Sequence, residues 1–201
     1  MLPRLLLIIS LLAPAMAGAT PTILILGDSL SAGYGLDQND GWVTLLAQRI
    51  EQSGRRYRVV NASISGETTS GAVSRLAAEL DRHRPAIVII ALGGNDGLRG
   101  LPLEQMRRNL ADIIEACRAQ QARVVLAGMR LPPNYGRSYT EGFARVFATL
   151  AQEHRVTLIP FLLEGLGDGL EHFQADAIHP DKEAQAVILD NVWKYLKPLL
   201  K

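Results

Sequence analysis

The sequence predicts an α/β fold, a single parallel sheet covered by helices on both faces. Three observations predict it. Five short apolar runs recur along the chain, at Ile23–Leu26, Val59–Val60, Ile87–Leu92, Val124–Ala127 and Leu158–Phe161. They are nearly continuous rather than alternating, which is the pattern of strands buried on both sides. Segments of helical period lie between them, and strand–helix alternation along a whole chain implies parallel pairing. A chain of 201 residues with no linker or repeat suits one domain with a sizeable core.

The helical segments follow in order. Trp42, Leu45, Leu46 and Ile50 form one apolar stripe, and Val73, Leu76, Ala77 and Leu80 a second. Met106, Leu110, Ile113, Ile114 and Cys117 form a third, which assigns the single cysteine to the core and excludes an intrachain disulfide. Phe143, Val146, Phe147 and Leu150 make a fourth, and Ile188, Val192, Tyr195, Leu196 and Leu199 close the chain. Pro102 and Pro180 stand where helices are expected to begin.

Residues 1–19 read as a secretory leader preceding a domain over residues 20–201. Arg4 gives a positive start, Leu5 to Ala13 an apolar stretch, and Ala15-Met16-Ala17 and Ala17-Gly18-Ala19 two small-residue cleavage sites. A cleaved leader implies a periplasmic or secreted protein with no stable membrane anchor. Without Arg4 the chain holds 20 basic and 20 acidic residues. That balance argues against nucleic acid or an anionic membrane as the main partner.

Four polar clusters each follow a strand or precede the last helix: Gly27-Asp28-Ser29-Leu30-Ser31, Asn61 to Thr68, Gly93-Gly94-Asn95-Asp96-Gly97, and Asp176-Ala177-Ile178-His179-Pro180. In a doubly wound sheet such positions converge on one end. Several chemistries are disfavoured. A phosphate loop needs a lysine after an early strand, and lysines occur only at 182, 194, 197 and 201. No Cys/His spacing suits zinc, and the G-x-S-x-G elbow fails at Ser31. Asp28 and Asp96 together suggest a Mg²⁺ site, but that leaves Ser29, Asn95 and His179 without a role. No metal or organic cofactor is expected.

Hydrolysis by serine needs a base, an acceptor that orients it, and donors for the oxyanion. Ser29 is the candidate nucleophile and His179 the candidate base. Asp176, three residues earlier, is the candidate orienter. Ser29 N–H, Gly66 N–H and the Asn95 amide are candidate oxyanion donors. Taken alone, the Asp176/His179 pair reads equally as a solvated loop and the Gly-Gly-Asn-Asp-Gly run as a plain turn. The conjunction of four clusters at one sheet end favours catalysis.

In these blocks the sequence resembles the GDSL-type, or SGNH, hydrolases. GDSL stands at 27–30, the glycine block at Gly66, GGND at 93–96 and D-x-x-H-P at 176–180, with Glu67 and Ala177 where Asp and Gly are expected. "NASISGET", "GGNDGLRG" and "LPPNYG" narrow the resemblance to the secreted bacterial thioesterase/lysophospholipase/arylesterase subgroup. It implies a three-layer, flavodoxin-like sandwich with strand order 2-1-3-4-5, the SGNH hydrolase fold. It also implies a Ser29–His179–Asp176 triad, an oxyanion hole of Ser29, Gly66 and Asn95, and an acyl-enzyme pathway on small-molecule esters and thioesters in a monomer. Asp28 then holds its turn through backbone hydrogen bonds. The loop Leu131-Pro132-Pro133-Asn134-Tyr135 would lie over the acyl groove, with Leu131, Pro133, Asn134 and Tyr135 contacting substrate. Two further readings are a carbohydrate acetylesterase of the same superfamily, for which two tryptophans offer little stacking surface, and a non-catalytic binding module on the same sheet.

Overall fold

The structure, a computed structural model, describes residues 20–167 and 169–201. The expected leader, residues 1–19, lies outside the described residues. Five strands form one parallel sheet in the order β2-β1-β3-β4-β5, as the sequence leads one to expect. They are β1 (Thr22–Gly27), β2 (Arg58–Asn61), β3 (Ile87–Ala91), β4 (Arg123–Ala127) and β5 (Thr157–Ile159). Every residue of β1 and β3 is buried, while Val59 and Val60 of edge strand β2 are half-buried. Central strands are therefore the continuous apolar runs, and the weakest run marks an edge.

Among the described residues, seven α-helices accompany the sheet: α1 (Ser29–Ala32), α2 (Trp42–Gln52), α3 (Thr69–His83), α4 (Gly94–Leu98), α5 (Leu103–Ala119), α6 (Arg137–His154) and α7 (Gln185–Leu196). α2 packs on α7 to form one layer, and α3, α5 and α6 pack in series to form the other. Each long helix buries most of the stripe read from sequence, and α3 departs from it at two positions. Val73 and Ala77 are exposed, and Ala72 faces the core instead. The buried residues of α3 are Thr69, Ala72, Leu76 and Leu80, so its core stripe runs through a small and a polar side chain that apolar size alone does not pick out. Cys117 is wholly buried, and burial pushes its thiol up to about 12, which removes it as a nucleophile.

Helix α5 begins directly after Pro102, as expected. Pro180 does not begin a helix. It pairs with Phe173 in an isolated antiparallel bridge, and α7 starts only at Gln185. The intervening turn is held by the Asp181 side chain, whose Oδ1 accepts from Ala184 N at 2.9 Å. That bridge pins the segment carrying Asp176 and His179.

The chain turns from β1 to edge strand β2 and then returns to place β3 on the other side of β1. The carboxyl ends of β1 and β3 therefore flank the switch point, where ligands of such sheets bind. Ser29 stands two residues beyond the end of β1, and Gly94 and Asn95 follow β3.

Candidate active site

Ser29 opens the four-residue helix α1. Asp28 caps it, with Oδ1 accepting from Leu30 N at 3.1 Å. So short a helix cannot satisfy its own carbonyls. Distant side chains do so instead: Trp42 Nε1 donates to Leu30 O at 3.1 Å and Asn61 Nδ2 to Ser31 O at 2.8 Å. The serine thus stands on a turn clamped by α2 and by the end of β2. Asp28 is 1% exposed, and burial pushes its carboxyl up to about 7, against the lowering effect of Leu30 N–H and nearby His179.

His179 meets Ser29 across 150 residues of chain. Its Nε2 lies 2.8 Å from Ser29 Oγ, and its Nδ1 lies 2.6 Å from Asp176 Oδ2. The other oxygen of Asp176 accepts from Ile178 N and His179 N, both at 3.0 Å. The His179 N–H above all, then its imidazole and Ile178 N–H, hold the Asp176 carboxyl down at about 2. Asp176 is therefore a carboxylate at neutral pH. That puts the neutral imidazole's proton on Nδ1 and leaves the Nε2 lone pair facing the serine hydroxyl.

The turn that makes this possible bends at Ala177, whose φ of 58° is in the left-handed region. A second clamp holds the far side. Gln174 N donates to His179 O at 2.8 Å, and Gln174 Nε2 donates to Tyr34 O at 2.8 Å and Pro180 O at 3.1 Å. The Tyr34 ring covers the imidazole, with centroids 4.5 Å apart and planes inclined by 37°.

Gly66 and Asn95 approach from the other side. Gly66 has φ +79°, so its loop depends on a residue that tolerates the left-handed region. Its carbonyl accepts from Arg99 Nη2 at 2.9 Å. The next residue, Glu67, is nearly buried and paired with Arg75, whose Nε lies 2.6 Å from Oε1 and whose Nη2 also reaches Ala62 O at 2.6 Å. Glu67 in place of an aspartate is long enough to reach across to α3. Its own carbonyl accepts from Asn95 Nδ2 at 3.0 Å, which spends one amide hydrogen and leaves the second free.

Asp96 is almost wholly buried. Both its oxygens are used by Thr69, at 2.9 Å to N and 2.6 Å to Oγ1, and Asn109 Nδ2 donates to Thr69 Oγ1 at 2.9 Å. It fastens α4 to the start of α3. Among the described residues, no three His, Cys, Asp or Glu side chains gather as a metal site.

The profile of the GDSL-like lipase/acylhydrolase family matches residues 25–187, the span that carries all of these groups. The chain belongs to this family. It is 51% identical over 182 residues to the Pseudomonas aeruginosa esterase TesA, covering 90% of each chain. It is 43% identical over 184 residues to the Escherichia coli K12 thioesterase 1/protease 1/lysophospholipase L1, covering 92% of this chain and 87% of that protein. The crystal structure of the psychrotrophic esterase EstA from a Pseudoalteromonas species, inhibited by monoethylphosphonate, superposes with a TM-score of 0.84 at 40% identity, covering 89% of this chain and 97% of that one.

Four residues named for substrate binding divide. Pro133, Asn134 and Tyr135 are exposed, in a 3₁₀ turn. Tyr135 Oη donates to Leu98 O at 2.9 Å, which ties this turn to the end of α4. Leu131 does not offer free surface. It is 9% exposed and packs where a Cβ on Gly97 would come within 2.7 Å of it. Its part is to seat the loop against α4. The residues that sequence reasoning missed are the braces: Arg75, Arg99, Gln174 and Tyr34. Arg75 lies eight residues beyond Glu67, outside any helical spacing, because Glu67 precedes the helix.

Proposed function

We propose that the protein hydrolyses acyl esters and thioesters, including aryl esters and lysophospholipids, through an acyl-enzyme on Ser29. The observation that carries this reading is the continuous chain from Asp176 Oδ2 through His179 to Ser29 Oγ, with links of 2.6 and 2.8 Å. His179 Nε2 takes the hydroxyl proton as Ser29 Oγ attacks the carbonyl carbon. The carbonyl oxygen becomes an oxyanion among Ser29 N–H, Gly66 N–H and the free hydrogen of the Asn95 amide. As the tetrahedral intermediate collapses, His179 returns the proton to the leaving alkoxide or thiolate, and the acyl group stays on Ser29. Water then attacks the acyl carbon, His179 accepts its proton, and the fatty acid departs as Ser29 regains a hydrogen. Asp176 remains ionised throughout and stabilises the imidazolium.

All of these groups come from one chain, which supports action as a monomer. Names borne by the relatives, esterase and thioesterase 1/lysophospholipase L1, support the substrate class. The exposed Pro133–Tyr135 turn supports an acyl groove beside Asn95, since Tyr135 is fastened to the helix that carries it. We further propose that residues 1–19 are removed on export to the periplasm or medium, which Arg4, the Leu5–Ala13 run and the small residues after it support. The experiment is a chain-length series of p-nitrophenyl esters and a palmitoyl thioester on the mature protein, with Ser29→Ala as control. The reading requires turnover of both ester types, abolished in the control. Turnover confined to an acetylated glycan would replace it with the acetylesterase reading.

A further inference from the structure

Among the described residues, seven large apolar side chains are exposed, and six of them lie at the carboxyl end of the sheet. Val73, on the outer layer, is the exception. The six fall on two sides of Ser29. Tyr34, Leu170 and Ile178 flank the His179 arm: Tyr34 covers the imidazole, Ile178 lies between Asp176 and His179, and Leu170 O accepts from Phe173 N beside the Phe173–Pro180 bridge. Ile64, Leu101 and Tyr135 flank the oxyanion arm: Ile64 O accepts from Glu67 N, Leu101 N donates to Asp96 O, and Tyr135 binds Leu98 O. They come from separate loops, with exposures from 36% for Tyr135 to 65% for Leu170. Scattered exposed residues need no explanation, but six collected around one nucleophile mark an interaction surface.

The charges at this end choose its partner. Among the described residues this end carries the cations Arg99, Arg130, Arg137 and Lys182 against the carboxylates Asp37, Asp40, Glu164, Glu171 and Asp176, with Arg130 paired to Glu164 and Lys182 to Asp40. No cation excess remains to draw an anionic surface. We propose that the carboxyl end of the sheet is a docking face for neutral, zwitterionic lipid aggregates, from which an acyl ester passes to Ser29 without crossing water. The inference rests on the acyl-ester reading of the site. Burial of apolar side chains at the headgroup boundary supplies the attraction. The opposite end differs, since Arg55, Arg56, Arg123 and Lys201 line a cleft there, and that cleft is the rival contact for anionic lipid.

The test is co-sedimentation of the mature protein with large vesicles of phosphatidylcholine, alone or mixed with phosphatidylglycerol. Wild type and Ser29→Ala should sediment equally with the neutral vesicles. The triple variant Ile64→Ser/Leu101→Ser/Leu170→Ser should partition about tenfold less, while it turns over soluble p-nitrophenyl acetate at the wild-type rate. Should the triple variant misfold, Leu170→Ser alone should weaken partitioning about threefold. The proposal is overturned if wild type ignores neutral vesicles or if the serine variants partition as wild type does. It is equally overturned if binding needs phosphatidylglycerol and disappears in about 0.5 M salt, which assigns contact to the arginine cleft. Loss of ester turnover alone, with vesicle binding intact, would strike the catalytic reading and leave the docking face standing.

Discussion

The Asn95 side-chain amide donates one hydrogen to the Glu67 carbonyl oxygen, 3.0 Å away. The brace fixes the direction of the second hydrogen before any substrate arrives, and a donor already oriented costs nothing to reorganise during reaction. Asn95→Ala should leave KM nearly unchanged while kcat falls by about 10²–10³. Steady-state kinetics on p-nitrophenyl butyrate decide the matter. A raised KM at constant kcat would make Asn95 a ground-state binder.

The Glu67–Arg75 pair holds the loop on which both Gly66 and that carbonyl lie. Arg75→Met would leave a nearly buried carboxylate without its partner, which costs about 3–5 kcal/mol. Restoring neutrality with Glu67→Gln in the same chain should recover much of that loss. Urea unfolding of both single variants and the double variant checks this, and equal stability of Arg75→Met and wild type would refute it.

Much of this architecture is legible in the sequence, and the boundary has a physical cause. The strands are visible because each rests on local pattern, apolar runs such as those of β1 and β3, and their order follows from the family resemblance of the short motifs just beyond them. The Pro180 expectation failed because a proline's fixed φ suits a helix start and a bridged extended segment alike, and Phe173, the pairing partner, is invisible in local spacing. Leu131 is expected to contact substrate with the rest of its loop, yet the absence of a side chain on Gly97 gives it a place in the core. Braces such as Arg75 and Gln174 depend on contacts that no periodicity encodes.

Asp28 gives the protein a pH-dependent stability. Its carboxyl is raised from 3.8 to about 7 in the folded state, so the native protein holds a proton that the unfolded chain has lost between those values. Stability from this group is present below about pH 4 and falls as pH rises through about 7, by up to ~4 kcal/mol. Asp28→Asn keeps the acceptor for Leu30 N–H without the titration. Urea midpoints at about pH 4.5 and 7.5 should diverge for wild type relative to Asp28→Asn. Parallel behaviour of the two proteins would contradict a buried, shifted Asp28.

Ala177 carries φ 58°, where a Cβ costs about 1–2 kcal/mol. Glycine removes that strain and adds about 0.5–1 kcal/mol of unfolded-state entropy. Ala177→Gly should therefore raise stability by about 0.5–1 kcal/mol, with kcat little changed because no Ala177 side-chain atom serves the triad. A fall in stability would mean that the turn is not strained there.

The central claim is that Ser29, activated by His179, is the nucleophile, and covalent labelling tests it most directly. Mature protein treated with a fluorophosphonate should gain one adduct, located by peptide mass spectrometry on Ser29. His179→Ala should slow labelling by at least about 10³, and Ser29→Ala should abolish it. Labelling of another residue, or of Ser29 at an undiminished rate without His179, would contradict the account.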